Sequence, residues 1–336
     1  MISEITRDDM TSERSRLFCP MERTMTKMFF SIADYRNNYF TSNDPNKIIE
    51  FYNGFENRDQ LIQWMKERPK GVANFHEVDG DKDIIVVITT WDFNGKYAKE
   101  CRENIFKGLH MVFVESGGRW DFYFNIAHNI NVGIRKAMEY NPKWIVFSGD
   151  DMVKIDPAKV LKEKLMKLDA TRYDVVFTNP SEYHSSLEKI SAPNQLHTFY
   201  YSITNRNYGR VLLKMYKKFK IKYHLSAISG KFSMLFKKGY VYMEIQDFGI
   251  YSSCWISKTG GYVYDETFVN AAEDTDLSLK ISMDKLRTVK IDYKIGDLIG
   301  SSLGTGVQRG LRSVAGITYL NYKWAIRVEE KIKSLD

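Results

Sequence analysis

Three apolar runs without polar alternation punctuate the middle of the chain: Ile84-Ile85-Val86-Val87-Ile88, Met111-Val112-Phe113-Val114 and Trp144-Ile145-Val146-Phe147. A half-exposed strand would alternate apolar with polar residues, so continuous runs of this length predict strands covered on both faces. Between them, 96–106 and 126–140 read as helices, and a further step adds a helix over 157–168 and a strand over 174–178. Strand and helix in regular succession predict an α/β fold: a doubly wound, mostly parallel sheet flanked by helices. Sheets of this kind bind ligands at the carboxyl ends of their strands.

The flanking regions carry less pattern. Residues 57–71 read as one helix: Asn57 can cap it with Gln60 three residues on, Leu61, Ile62 and Met65 form a stripe, and Pro69 and Gly71 stop it. The stretch before it is rich in aromatics and Asn, with no period. We expect 1–78 to be an N-terminal extension packing on a main domain over 79–336. After residue 178 the pattern loosens. Residues 180–210 read as loop, 233–236 as a strand, 274–283 as a helix and 317–332 as a last helix, while 249–266 is rich in Gly, Tyr and Ser.

Composition narrows the partners. The 336 residues carry 49 Lys and Arg against 42 Asp and Glu, a net charge of +7. That surplus suits phosphorylated small molecules, an anionic membrane face or nucleic acid. The densest basic stretch, 214–222, reads as a solvated helix face or as a patch for anionic lipid. Three scattered cysteines, Cys19, Cys101 and Cys254, form no disulfide framework and no zinc pattern, and they suit a reducing cytosol. No apolar run approaches a membrane span and no signal-peptide core opens the chain. The expectation is a cytoplasmic protein, with peripheral contact to a membrane face allowed by its charge.

Four polar motifs could carry chemistry. Asp150 and Asp151 follow the third buried strand within Ser148-Gly149-Asp150-Asp151, where Mg²⁺ or Mn²⁺ could be held by one or two carboxylates and a substrate's phosphates. Asp and Gly are also ordinary turn residues. Glu273-Asp274-Thr275-Asp276 opens a helix; acidic residues there satisfy free N–H groups and the helix dipole, or supply a general base. Glu115-Ser116-Gly117-Gly118 ends the second strand, where a carboxylate could accept from a nucleobase or ribose, or simply form a turn. Ile299 to Gly306 is rich in Gly and hydroxyls, with Arg309 and Arg312 after it, which suits a diphosphate or a flexible loop.

The order of these pieces resembles the inverting family 2 glycosyltransferases of the GT-A fold, over residues 83–326. Ile84 to Asp92 is similar to that family's opening strand and turn, and Asn131-Val132-Gly133-Ile134-Arg135-Lys136-Ala137 to its Asn-x-Gly helix. Gly260 to Phe268 leads into Glu273-Asp274-Thr275-Asp276-Leu277-Ser278-Leu279-Lys280, its most specific match. Gly300 to Gly304 and Tyr319 to Trp324 resemble its closing segments. The resemblance implies a donor half over 79–180 and an acceptor half over 181–336. Thr89, Thr90, Trp91 and Glu115 would line the nucleotide pocket, with Asn131 and Arg309 also on the donor side. Asp150, with Asp151 beside it, would meet Mn²⁺ or Mg²⁺ and the donor diphosphate. Asp274 would be the catalytic base, with Glu273 adjacent. The donor would be a UDP-, GDP- or dTDP-sugar, the acceptor a saccharide or lipid-linked saccharide, and no nucleic acid would be involved. Three departures stand out: Ser148 where the family's acidic motif begins, Glu115 for an Asp, and no His near Asp297. The competing expectations are a nucleotidyltransferase-like enzyme, though the loop after Thr90 lacks its basic glycine-rich signature, and a sugar-nucleotide-binding protein without transfer.

Overall fold

The structure, a computed structural model, describes residues 42, 44–55, 57–71, 73–116, 124–178, 185–190, 241–246, 248–269, 271–298 and 307–333. The basic stretch 214–222, the strand expected at 233–236, the glycines at 117 and 118 and the loop 299–306 lie outside the described residues.

Two helices come first. In α1 (Pro45–Asn53), Asp44 caps by accepting from Asn46 N–H and Pro45 starts the first turn, where a missing N–H costs nothing. In α2 (Arg58–Glu67), Asn57 accepts from Gln60 N–H, and Leu61, Ile62 and Met65 are buried as their spacing predicts. Arg68 leaves the helical region ahead of Pro69, ending the helix short of Gly71.

The central sheet begins with β1 (Asn74–Val78) and β2 (Asp81–Thr90). Within β2, Ile84 to Ile88 are fully buried and their side chains alternate between two cores. Ile84, Val86 and Ile88 join one core, covered by α3 (Lys96–Glu100), its π-helical continuation Cys101–Ile105 and α5 (Ala158–Leu165). Ile85 and Val87 join the other, covered by α4 (Ile126–Met138), α6 (Ser253–Lys258) and α7 (Glu273–Met283). Each such aliphatic side chain contributes about 1.5–3 kcal/mol by leaving water, so a polar residue on either face would be costly. α4 sits close enough that a Cβ at Gly133 would meet Val87 at 2.5 Å and Val114 at 2.6 Å.

The remaining strands are β3 (Leu109–Glu115), β4 (Trp144–Gly149), β5 (Met152–Lys154), β6 (Val175–Phe177), β7 (Ser185–Ile190), β8 (Val241–Gln246), β9 (Gly249–Ser252), β10 (Thr288–Lys290) and β11 (Ile295–Asp297). Seven of them form one sheet in the order β1-β3-β2-β4-β9-β6-β10. Strands β3, β2 and β4 are mutually parallel, as are β6 and β10, while β1 and β9 run antiparallel to their neighbours. The fold is therefore mixed α/β with a mostly parallel sheet covered on both faces. Thr90, Glu115 and Gly149 end three parallel strands at one edge.

Four features differ from the sequence expectations. Asn74 to Val78, assigned by pattern to the extension, pair with β3 as an edge strand. Residues 185–190, read as loop, pair with β8. Gly249 to Ser252, read as a Gly-, Tyr- and Ser-rich stretch, form β9, buried between β4 and β6. The last helix, α8 (Val307–Lys333), starts ten residues before the expected Ile317. Helices α1 and α2 pack against it, and Tyr52 donates from its hydroxyl to Leu311 O at 2.8 Å. Among the described residues, no helix is long and apolar enough to cross a membrane.

Candidate active site

The first acidic pair sits where β4 ends beside β2, with Thr89 opposite Gly149. Asp150 is 6% exposed, and the Thr90 hydroxyl donates to its Oδ2 at 2.6 Å while accepting from Asp92 N–H at 3.2 Å. Cys101 Sγ donates to Asp150 O at 3.4 Å. Burial pushes the Asp150 carboxyl up to about 6; the Thr90 hydrogen bond opposes this, and the charges of Asp151 and Asp92 reinforce it. Asp151 folds over Gly149, where a Cβ would lie 2.8 Å from its Oδ1, and its carbonyl accepts from Leu298 N–H at 2.8 Å, just past β11. Ser148 is fully buried and turns its hydroxyl to Gly149 O, so it offers nothing to a ligand.

These residues fit a hard divalent cation. Among the described residues, no group of three or more His, Cys, Asp or Glu side chains could hold a metal alone. Mg²⁺ needs no such group when phosphate oxygens and water complete its shell. A buried carboxylate whose ionisation is disfavoured, next to a second carboxylate, is a donor set that a cation would relieve.

The expected nucleotide pocket is only partly assembled for a ligand. Thr89 and Thr90 are buried, and Trp91 is 60% exposed on the loop after β2. Glu115 faces inward: its Oε2 lies 2.6 Å from His76 Nε2 and its Oε1 accepts from Phe93 N–H at 3.1 Å. Burial pushes its carboxyl up, but these two contacts outweigh that and hold it below the usual range. His76 stacks on the Phe93 ring at 4.2 Å, and the Arg102 guanidinium lies 4.6 Å from the same ring centre. Glu115 thus ties the 91–95 loop to β1 through His76 and Phe93.

Asn131, expected on the donor side, is committed to another loop. It is fully buried; its amide nitrogen donates to Tyr264 O at 2.8 Å and Glu266 Oε1 at 3.0 Å, and its oxygen accepts from Val263 and Tyr264 N–H. With both amide atoms spent on the 263–266 segment, it shapes that loop and is not exposed to a donor.

The second acidic pair opens α7. Ala272, just before it, adopts a left-handed backbone (φ 68°), a strained conformation for a residue with a Cβ. Helix α8 packs directly on this turn: a Cβ at Gly316 would come within 2.1 Å of Ala271 O. Glu273 Oε2 is buried with no hydrogen-bond partner. Burial first, and the Asp274 charge second, raise the Glu273 carboxyl well above the usual range, while Arg309 pulls the other way. Asp274 is half-buried and accepts at Oδ1 from Thr275 N–H at 2.6 Å. Asp276 is buried and spent on Lys323 and Trp324 Nε1.

A layer of aromatics lies between the pairs. Phe147, three residues before Asp150, packs on Tyr264 at 5.8 Å between ring centres. Tyr264 shares a buried 2.8 Å hydroxyl contact with Tyr251, and both feel the Asp274 charge. Sequence reading missed Thr90 as the partner of Asp150, the Tyr251–Tyr264 pair and the strained Ala272. None has a local signal, because each depends on a contact far away in sequence. Comparison with known protein families and with curated proteins finds no match to this chain.

Proposed function

We propose that this protein is an inverting glycosyltransferase of the GT-A type, moving a sugar from a nucleotide-sugar donor to an acceptor hydroxyl. The observation that carries the reading is the placement of the second pair: Glu273 and Asp274 share the first turn of α7, one Glu273 oxygen buried without a hydrogen-bond partner and Asp274 half-buried beside it. Burial and mutual repulsion favour a protonated Glu273 beside Asp274, which leaves one negative charge where a base is needed. Asp274 takes the proton from the acceptor hydroxyl. The acceptor oxygen attacks the anomeric carbon as the bond to the donor diphosphate breaks. The nucleoside diphosphate leaves with the bonding electrons, and the anomeric configuration inverts.

Asp150 and Asp151 would hold Mn²⁺ or Mg²⁺, whose charge offsets that growing on the leaving diphosphate. Thr90 orients the Asp150 carboxylate by its 2.6 Å hydrogen bond. Exposed Trp91 offers a face to a nucleobase, and Arg309, near Glu273, supplies positive charge for a diphosphate. UDP-, GDP- and dTDP-sugars, each with and without Mn²⁺, should be screened for slow release of nucleoside diphosphate. A donor found this way should be turned over about 10²–10⁴-fold more slowly by Asp274→Asn, with its binding nearly unchanged. Near-normal turnover by that variant would sink the base assignment. Binding of a sugar nucleotide by the wild type without any release would favour the binding-protein reading.

A further inference from the structure

A cleft of about 480 Å³ opens between the chain just after α2, the 262–267 segment, α7 and α8. Small-molecule sites usually span about 300–1,000 Å³. The carboxylates lining it all have partners. Asp265 accepts from Lys323 at 2.8 Å and the Tyr319 hydroxyl at 3.0 Å; Asp276 takes Lys323 and Trp324; Asp284 takes Arg327 at 2.8 Å. Glu266 lies 2.8 Å from His128 Nδ1 and accepts from Asn131 at 3.0 Å.

The same pairings use Lys323 and Arg327, so two lining ammonium groups stand outside any ion pair among the described residues. Lys70 donates to the backbone carbonyls of Arg68 at 3.0 Å and Lys66 at 3.4 Å. Lys280 lies 5.6 Å from the centre of the Trp255 ring. Burial lowers the Lys70 ammonium from its ordinary value, with the charge of Glu266 opposing the shift. Such a group gains from an incoming anion.

The cleft also presents one aromatic ring to solvent. Tyr262 is 56% exposed. The Arg135 guanidinium braces it at 4.6 Å from the ring centre, and the left-handed Gly261 (φ 80°) lets the Arg135 side chain pass beneath, where a Cβ would meet it at 2.5 Å. Arg135 Nη1 is itself buried without a hydrogen-bond partner, adding further positive charge behind the ring.

We propose that this cleft binds an anionic saccharide, with its carboxylate or phosphate on Lys70 and Lys280 and its ring against Tyr262. The charged and hydroxyl side chains of the lining suit sugar hydroxyls, and the braced, exposed Tyr262 ring suits the apolar face of a pyranose. Neither Glu273 nor Asp274, at the start of α7, lines the cleft, although Tyr264, which does, feels both charges. On that helix Asp276 and Lys280, four residues apart, share the face that lines the cleft, with Asp284 just past the helix end, and Asp274, two residues before Asp276, is roughly 200° around it. The inference therefore stands whether or not Asp274 is a base. It also accounts for the segment after α2, because Lys70 completes the site.

Calorimetric titration of the full chain tests this, using a glucuronate-terminated disaccharide, glucose 6-phosphate, the neutral counterpart of each, and inorganic phosphate alone. Both acidic sugars should bind at least about tenfold more tightly than their neutral counterparts. Lys70→Met and Lys280→Met should each weaken acidic-sugar binding by at least about tenfold. Tyr262→Ala should weaken all the sugars. Lys159→Met, on the exposed face of α5, should change nothing. Equal affinity for acidic and neutral sugars overturns the proposal. So does unchanged affinity in folded Lys70 and Lys280 variants, or the absence of any sugar binding at millimolar concentration. Inorganic phosphate binding as tightly as glucose 6-phosphate, or displacement of a bound acidic sugar by free UDP, overturns the saccharide assignment.

Discussion

The pair at Asp150 and the pair at Glu273 are alike in chemistry and opposite in support. Asp150 follows a strand held by ladders on both sides, and a threonine hydroxyl donates to its carboxylate. Glu273 follows a strained left-handed residue, and one of its oxygens has no hydrogen-bond partner. The first position is fixed by the sheet itself. The second is fixed by a helix from the end of the chain pressing on a turn. Buried carboxylates can thus be held in two ways: by giving the charge a side-chain donor, or by leaving one oxygen without a donor so that burial and a neighbouring carboxylate favour the protonated acid.

The largest effect should come from the turn. Gly316→Ala puts a methyl group against the carbonyl oxygen of Ala271, and the backbone must move. We expect a loss of about 3 kcal/mol in denaturant unfolding. Transfer activity should fall while donor binding at the first pair persists. Unchanged stability would mean that α8 does not fix the second pair, and the contrast would fail.

Next is Glu273→Gln. In the folded chain Glu273 holds its proton to higher pH than its ordinary value of 4.5, through burial and then the Asp274 charge. Across that window the folded state binds more protons than the unfolded state, so stability falls as pH rises. The Gln variant should flatten this slope and gain about 2 kcal/mol above the window. Unfolding curves at mildly acid and alkaline pH measure both; a slope identical to wild type would show that Glu273 is not the uncompensated group.

The smallest effect belongs to the better-supported pair. Thr90→Val keeps the shape and removes the hydroxyl donor to Asp150, at a cost of about 1 kcal/mol. A cost as large as that of Gly316→Ala, read in the same unfolding assay, would put both pairs under the same kind of constraint.

The sequence was most legible where one local pattern sufficed. The run from Ile84 to Ile88 announced a strand covered on both faces because each of its side chains goes to one of two cores. Asn57 and Gln60 announced a helix start because the cap is made within three residues. Legibility failed where structure depends on distant partners. Asn-Phe-His-Glu-Val at 74–78 reads as polar because an edge strand needs burial on only part of its surface. Gly249 to Ser252 carry too few bulky side chains to show as a strand, yet all four are buried by neighbours on either side. The same holds at the site. Asp150 and Asp274 stood out as acidic residues at element ends, but nothing nearby in sequence marks Thr90, Tyr251 or Gly316 as the residues that shape them. Asn131 and Glu115 were recognisable as special positions, and their hydrogen bonds turn out to hold loops.

The antiparallel strand β9 also governs the order in which this chain can be made into a protein. It joins β4 to β6, and β6 has no other neighbour except β10 in the described sheet. During synthesis, the flank of β4 beyond β2 therefore stays open until Gly249 to Ser252 have emerged. An apolar strand with free N–H and C=O groups invites pairing with another copy. Assembly of the sheet is thus bound to arrival of the later segment. The parallel strands that end at Thr90 and Gly149 reach their finished form as a late product of the whole chain.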